Sequence, residues 1–482
     1  MGLKGSGEVI LNFKRIFGLT VSAVAVLSIT ILAPHQANAQ GLEFIRDAEI
    51  ENTMRQYADP LFRQAGVDPE AVHIYLVKDP SLNAFVAEGL NLFINTGTII
   101  GADDAGQLIG VMAHECGHIA GGHLVRGQEA MGNAMTTGLA AMVLGVAAAI
   151  AAGKQDKSAY EKGVPGAYSN NSALLPAVLG AAGEVAYKSY ASFSRTIEGS
   201  ADAAGLQFLD NLHMSARGML AFMEKLEGEE LLVTTRQDPY VRTHPVTGDR
   251  IDEIRAHIER SPWSDVPTPP EFIEPHQRAR AKLAAFLNPP MSTLYKYKES
   301  DPSISARYAR AIAYYRIPDL EHALPLVDGL LAERPNDPYF HELKGQILYE
   351  NGRALEAIPE YKKAVQILPN NALLHQELGM VEVESEDPTQ LADAKIQLNA
   401  AIRGEPEDPT SWRQLAIAYG RDGDEAMASA GMAEYALLMG RFSEALYHSN
   451  KALQGLKHGS PMAIRMEDVR AQAEQHQESK KR

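Results

Sequence analysis

The chain has 482 residues, 45% hydrophobic and 22% charged, a balance that excludes a disordered protein and asks for two or three domains. Its net charge of −16 excludes a nucleic-acid binder, which needs clustered Lys and Arg, and gives no charge-driven hold on an anionic membrane. A single cysteine rules out an internal disulfide, so packing alone must hold the fold.

An export signal comes first. Lys4, Lys14 and Arg15 precede the uncharged run 16–33, Pro34 breaks it, and Ala37-Asn38-Ala39 supplies a small-residue cleavage step before Gln40. Residues 1–39 read as a signal peptide cleaved after Ala39, which puts the mature chain in the periplasm. A retained anchor helix is the rival, since the apolar run is just long enough to span a bilayer. Residues 43–66 carry helical apolar spacing and stop at Gly66. The β-branched and aromatic run 71–79 reads as a strand, and 83–97 as a hairpin turning at Glu88–Gly89. A helix is expected over 105–127. Two apolar stretches follow, 130–153 and 173–183. The first is weakly apolar and the second short, so both read as amphipathic helices that shield a site or make peripheral membrane contact. Residues 190–212 are again helical, and 239–258 read as a loop entering a helix.

Residues 261–300 form a proline-rich linker and helix, separating a first domain over 40–260 from a second over 301–470. The second domain repeats. Similar segments begin at Pro335 and Pro369, 34 residues apart, and a third begins at Pro406, three residues late. Small residues at helix crossings with that period mark tetratricopeptide repeats. Each helix pair leaves an apolar face that only its neighbour covers, so the pairs stack into a solenoid. The last residues, 471–482, read as a frayed tail. The fold class is therefore α+β and mostly helical: a first domain with a small sheet, then an all-α solenoid.

The chemistry sits on the helix over 105–127, in His114-Glu115-Cys116-Gly117-His118. Residues four apart share a helix face, so both imidazoles reach one metal ion while Glu115 is turned toward a water on it. Cys116 reads as a small buried hydrophobe. The pattern needs a third ligand. His123 is out of phase with one and reads as a histidine on the last helical turn. Glu198 and Asp202, four apart on the next helix, do better. Glu198 completes a His₂Glu shell around one Zn²⁺ per chain with an open position for water, and Asp202 accepts the N–H of a ligating imidazole. Gly199, Ser200 and Ala201 are small enough to let the two helices approach closely. His244 is a candidate oxyanion stabiliser, and Arg250 can orient Glu198 or the transition state. Asn83, Ala84, Phe85 and Val86 form a strand able to take a substrate backbone as an added strand.

His114-Glu115-x-x-His118, two apolar segments, then Ser194-Arg195-x-x-Glu198-x-x-Ala201-Asp202 resembles the HtpX-type gluzincin zinc metallopeptidases. Asn83-Ala84-Phe85-Val86 before the motif and Thr243-His244-Pro245 after it extend the match over about 60–255. An export signal in front and tetratricopeptide repeats behind resemble the family's periplasmic branch. That resemblance implies a zinc endopeptidase acting on misassembled outer-membrane β-barrel proteins, with repeats that bind the β-barrel assembly machinery or its stalled client. It also implies a second role for His244, as a fourth ligand that keeps the enzyme latent. The irregular repeat register after 400 departs from the family's pattern. The alternative from another class is a tetratricopeptide chaperone or adaptor with a structural zinc. Glu115 and an open shell favour the enzyme, since structural sites close with four protein ligands.

Overall fold

The computed structural model describes residues 43–87, 90–123, 194–232 and 244–479. The signal peptide, the hairpin turn at Glu88–Gly89 and both apolar stretches lie outside the described residues. Among the described residues, no helix is long and apolar enough to cross a membrane.

The first domain is built on strands β1 (Phe44–Ile45), β2 (His73–Val77), β3 (Ala84–Ala87) and β4 (Asn91–Asn95) and helices α1 (Ala48–Gln64), α2 (Thr96–Gly101) and α3 (Ala105–Gly121). The helix expected from 43 starts instead at Ala48. Residues 44–45 pair antiparallel with β2, and Asp47 caps α1 by accepting from the Ile50 N–H. The sheet order is β1-β2-β4-β3, with β2 and β4 parallel and β3 antiparallel to β4. Period-two alternation sends Leu76, Ala84, Val86, Leu92 and Ile94 into the core against α1 and α3. It turns Tyr75, Phe85 and Phe93 to the other face, where their rings stack 4.9–5.0 Å apart. Asp104 caps α3, and Gly122, in the left-handed region at φ 60°, ends it. The helix is thus shorter than the expected 105–127, because the glycine turns the chain.

Helices α4 (194–211), α5 (Arg217–Leu232) and α6 (Gly248–Arg260) complete this domain. The expected linker is a packed wall made of α7 (Pro270–Leu287) and α8 (Pro290–Lys296). Ala279 and Leu283 of α7 enter the first core while Ala281 and Ala285 enter the core of the repeats. An apolar stripe on two faces joins what proline content suggested would be separate, and Glu43–Arg482 form one compact unit.

The junction is also charged. Lys282 Nζ lies 2.8 Å from Asp47, 3.5 Å from Glu49 and 3.7 Å from Glu342. Arg278 Nε lies 2.6 Å from Glu49, and the Tyr308 hydroxyl donates to Glu49 at 2.8 Å.

The repeats are antiparallel helix pairs: α9 (Ile304–Arg316) with α10 (Leu320–Glu333), α11 (Pro338–Glu350) with α12 (Ala354–Ile367), and α13 (Ala372–Glu384) with α14 (Leu391–Gly404). They continue as α15 (Pro409–Arg421) with α16 (Glu425–Leu438) and α17 (Phe442–Gly455) with α18 (Pro461–Ser479). Together they form the tetratricopeptide solenoid. The three-residue drift has a local cause: a 3₁₀ turn at Pro388–Gln390 lengthens the loop between α13 and α14, and the register is otherwise kept. The tail expected to fray from 471 is helical to Ser479, because Val469 and Ala473 are buried against α16 and α17.

Candidate metal centre

Two helices and one loop bring the site together. α3 carries His114, Glu115 and His118; α4 carries Glu198 and Asp202; His244 precedes α6, which carries Arg250. α3 and α4 nearly touch. A Cβ at Gly117 would come 2.3 Å from the Ala201 carbonyl, and one at Gly205 would come 2.9 Å from that of Ala113. Of the three small residues expected to permit this, only Ala201 is at the contact. Gly199 faces open space, Ser200 is exposed, and Gly205 takes the second place.

His114, His118, Glu198 and His244 each turn one donor atom to a common point, all within 4.8 Å of one another. His114 Nε2 lies 3.0 Å from His118 Nε2, 3.3 Å from His244 Nδ1 and 3.3 Å from Glu198 Oε2. Glu198 lies 3.5 Å from His118 Nε2 and 3.1 Å from His244 Nδ1. Four ligands at tetrahedral zinc-type bond lengths sit about 3.3 Å from each other. These spacings therefore fit a tetrahedral divalent ion, and the donor set suits one. Lone pairs facing lone pairs at this range need a shared cation or protons.

The other ring nitrogen of His114 meets Asp202 Oδ1 at 2.8 Å. Arg250 is 4% exposed, so its ion pairs are buried rather than surface ones. It donates from Nε to Asp202 at 2.6 Å, holds Nη1 3.1 Å from Glu198, and donates from Nη1 to the Pro245 carbonyl at 2.8 Å. Burial opposes charge on His114, but Asp202 and Glu198 outweigh it and lift the imidazole to about 10. Burial and then the neighbouring His114 charge push His118 down to about 2. Glu198 stays well below the carboxylate range because His114 and His244 outweigh its burial. Asp202 is held at about 2, where Arg250 and His114 outweigh burial.

Glu115 is fully buried, with no hydrogen-bond partner for either oxygen among the described residues and His244 Nε2 at 3.7 Å. Burial pushes its carboxyl up. Cys116 is buried beside it, and burial pushes its thiol up, as an inert hydrophobe requires. Ala84, Phe85 and Val86 lie in β3, the last strand of the sheet, which packs on α3. Asn83 precedes it, with its backbone held by Thr98 and Asn95 and its side-chain oxygen without a hydrogen-bond partner among the described residues.

Residues 45–258 match Peptidase family M48. This stretch is an M48 metallopeptidase domain. The chain is similar to the β-barrel assembly-enhancing protease of Yersinia pestis, 24% identical over 80% of this chain and 76% of that one. It is likewise similar to the protein of that name from Escherichia coli K12, 23% identical over 84% and 79%. A solved tetratricopeptide protein, YrrB, with an unusual peptide-binding site, covers 36% of this chain and 91% of its own at 16% identity and TM-score 0.31.

His123 is the residue of the metallopeptidase site that spacing misplaced. It is not a bystander on the last helical turn but folds back onto His118, Nδ1 to Nδ1 at 3.1 Å. The signal was in the two glycines before it: a left-handed residue at 122 reverses the chain, and a bare 121 leaves room for the ring.

Proposed function

We propose that this chain is a periplasmic zinc endopeptidase that cleaves misassembled outer-membrane β-barrel proteins and so serves their assembly. One observation carries the reading: four donors at tetrahedral spacing beside Glu115, a buried carboxylate with no hydrogen-bond partner among the described residues. The relatives' shared name, β-barrel assembly-enhancing protease, supports the client class.

His114, His118 and Glu198 would hold a zinc ion, which would supply Lewis acidity to a water and to the scissile carbonyl. Glu115 accepts the attacking water's proton on a carboxylate oxygen and returns it to the leaving amine. Asp202 fixes the His114 ring through Nδ1, and Arg250 holds Asp202 and Glu198 in register. β3 pairs only with β4 among the described strands, so Asn83 to Val86 offer an edge to an unpaired strand of an unfolded barrel. The tetratricopeptide solenoid binds the assembly machinery or the stalled client. The stretches 130–153 and 173–183 lie peripherally on a membrane, which carbonate extraction of the mature protein tests.

His244 Nδ1 at ligand spacing supports the fourth-ligand role over oxyanion stabilisation. His244→Ala then raises basal cleavage of an unfolded barrel protein, whereas an oxyanion role makes it fall. The same four donors also favour the second reading, a repeat adaptor with a structural zinc. The deciding experiment is elemental analysis with a casein assay, with and without chelator, for the wild type and Glu115→Gln. A variant that keeps its metal and cleaves at the wild-type rate ends the peptidase proposal.

A further inference from the structure

His114 and His118 enter the site with one nitrogen each, and each has a second nitrogen to account for. For His114 that nitrogen meets Asp202, a carboxylate that only accepts, so Nδ1 carries a proton and Nε2 is the nitrogen left to face a metal. His118 has no carboxylate behind it. Its Nδ1 meets His123 Nδ1 at 3.1 Å, with the rings at 81° to each other. An imidazole is an ambiguous partner, because it donates or accepts according to its own tautomer.

The next link removes the ambiguity. His123 Nε2 lies 3.1 Å from Ser200 Oγ, and that hydroxyl donates its proton to the Ile197 carbonyl at 2.8 Å. A hydroxyl has one proton, so Ser200 faces His123 with a lone pair. His123 must therefore bring the proton on Nε2, which leaves its Nδ1 bare in the neutral ring. A bare Nδ1 accepts, so His118 donates from its own Nδ1. The His118 lone pair then lies on Nε2, the atom that points at His114 and Glu198.

We propose that His123 and Ser200 are positioning residues that fix the tautomer of His118, relaying the direction of a backbone carbonyl on α4 to a metal-binding nitrogen on α3. The proposal rests on the metal-site reading and deepens it. Three features of the chain serve this relay. Gly122 at φ 60° turns His123 back toward α3. Gly121 makes way for the ring: a Cβ there would come 2.1 Å from His123 Nε2 and 2.5 Å from its Cδ2. Ile197 and Ser200 flank Glu198, so the helix turn that supplies the carboxylate ligand also orients the second imidazole. His123 is 8% exposed and His118 6%, so the contact between the two rings is buried, while Ser200 lies at the surface.

The test uses the full mature chain with ¹⁵N-labelled histidines. Long-range proton–nitrogen spectra of the metal-free protein read the His118 tautomer, and competition with a chromophoric chelator reads Zn²⁺ affinity. The wild type is expected to hold its His118 proton on Nδ1. His123→Ala is expected to give mixed tautomers and about 10–100-fold weaker zinc binding. His123→Gln restores both, because its amide oxygen accepts from His118 and its nitrogen donates to Ser200. Ser200→Ala shifts the tautomer in the same direction by less, and Gly121→Ala matches His123→Ala because the ring is displaced. A wild-type His118 protonated on Nε2, or a His123→Ala chain with wild-type tautomer and affinity, overturns the proposal. Should His123→Ala fail to fold, Ser200→Ala and His123→Gln still decide it. A wild-type chain that takes up no zinc refutes the metal reading instead, and the tautomer readout stands apart from that outcome.

Discussion

Among the described residues, the buried charged side chains at the metal centre and those where α1 and α7 meet the repeats are arranged in opposite ways. At the junction, anions face the chain's own cations. Glu49 meets Arg278 at 2.6 Å and accepts from Tyr308 at 2.8 Å, while Lys282 sits among Asp47, Glu49 and Glu342. At the centre, acceptors face acceptors: two Nε2 atoms 3.0 Å apart, with a carboxylate and a third ring nitrogen closing the figure. Arg250 stands behind this group rather than inside it. The lesson is that burial of charge does not by itself mark an ion site. What marks it is a set of metal-ligating nitrogens and one carboxylate converging on a single point, with Arg250 at the rim and not among them.

That contrast can be broken by mutation. The largest effect is expected from Glu198→Ala or His118→Ala, which should abolish both bound metal and peptidase activity. Elemental analysis and a casein assay check this, and a variant still carrying one metal would show that the remaining donors suffice. Next, Glu115→Gln should lower kcat by about 10²–10⁴-fold while metal content stays at the wild-type level. Third, Lys282→Met should leave Asp47, Glu49 and Glu342 buried without their ammonium, at a cost of about 3–5 kcal/mol in urea unfolding. It should leave zinc affinity unchanged. A junction variant that lost metal, or a chelator that weakened the junction, would mean that the two clusters are not independent.

The smallest effect concerns His276 on α7, bonded to the Ala102 carbonyl at 3.0 Å. Burial pushes its imidazole down from 6.5 to about 4. Between those values the unfolded chain holds the proton and the folded chain does not, so stability falls as pH falls through that window. His276→Gln should flatten this slope by on the order of 3 kcal/mol across the window, measured as urea midpoints at pH 7 and pH 4.5. An unchanged slope would place the acid sensitivity elsewhere.

How much of this was legible in the sequence depends on the range of each interaction. His114, Glu115 and His118 lie within one turn and a half of helix, and Glu198 and Asp202 within another, so periodicity alone set them on the right faces. The repeats were legible for the same reason, since each pair restates a local pattern. The junction was not. Lys282 and Asp47 are separated by most of the first domain, and nothing local tells a buried lysine from an exposed one. Prolines at 269, 270 and 275 suggested a loose joint, yet Pro269 and Pro270 sit at the very start of α7, where proline is tolerated, and the helix runs on through Pro275. His123 was lost because a straight helix was extended past a glycine that ends it.

Arg250 has a consequence for motion. The same guanidinium nitrogen that lies 3.1 Å from Glu198 donates to the Pro245 carbonyl, one residue after His244. It works as a latch between a loop and a ligand-bearing helix. Swinging the loop outward to bare a coordination vertex must either tear this bond, stranding a buried N–H at about 1–3 kcal/mol, or drag the arginine along and slacken its grip on Asp202.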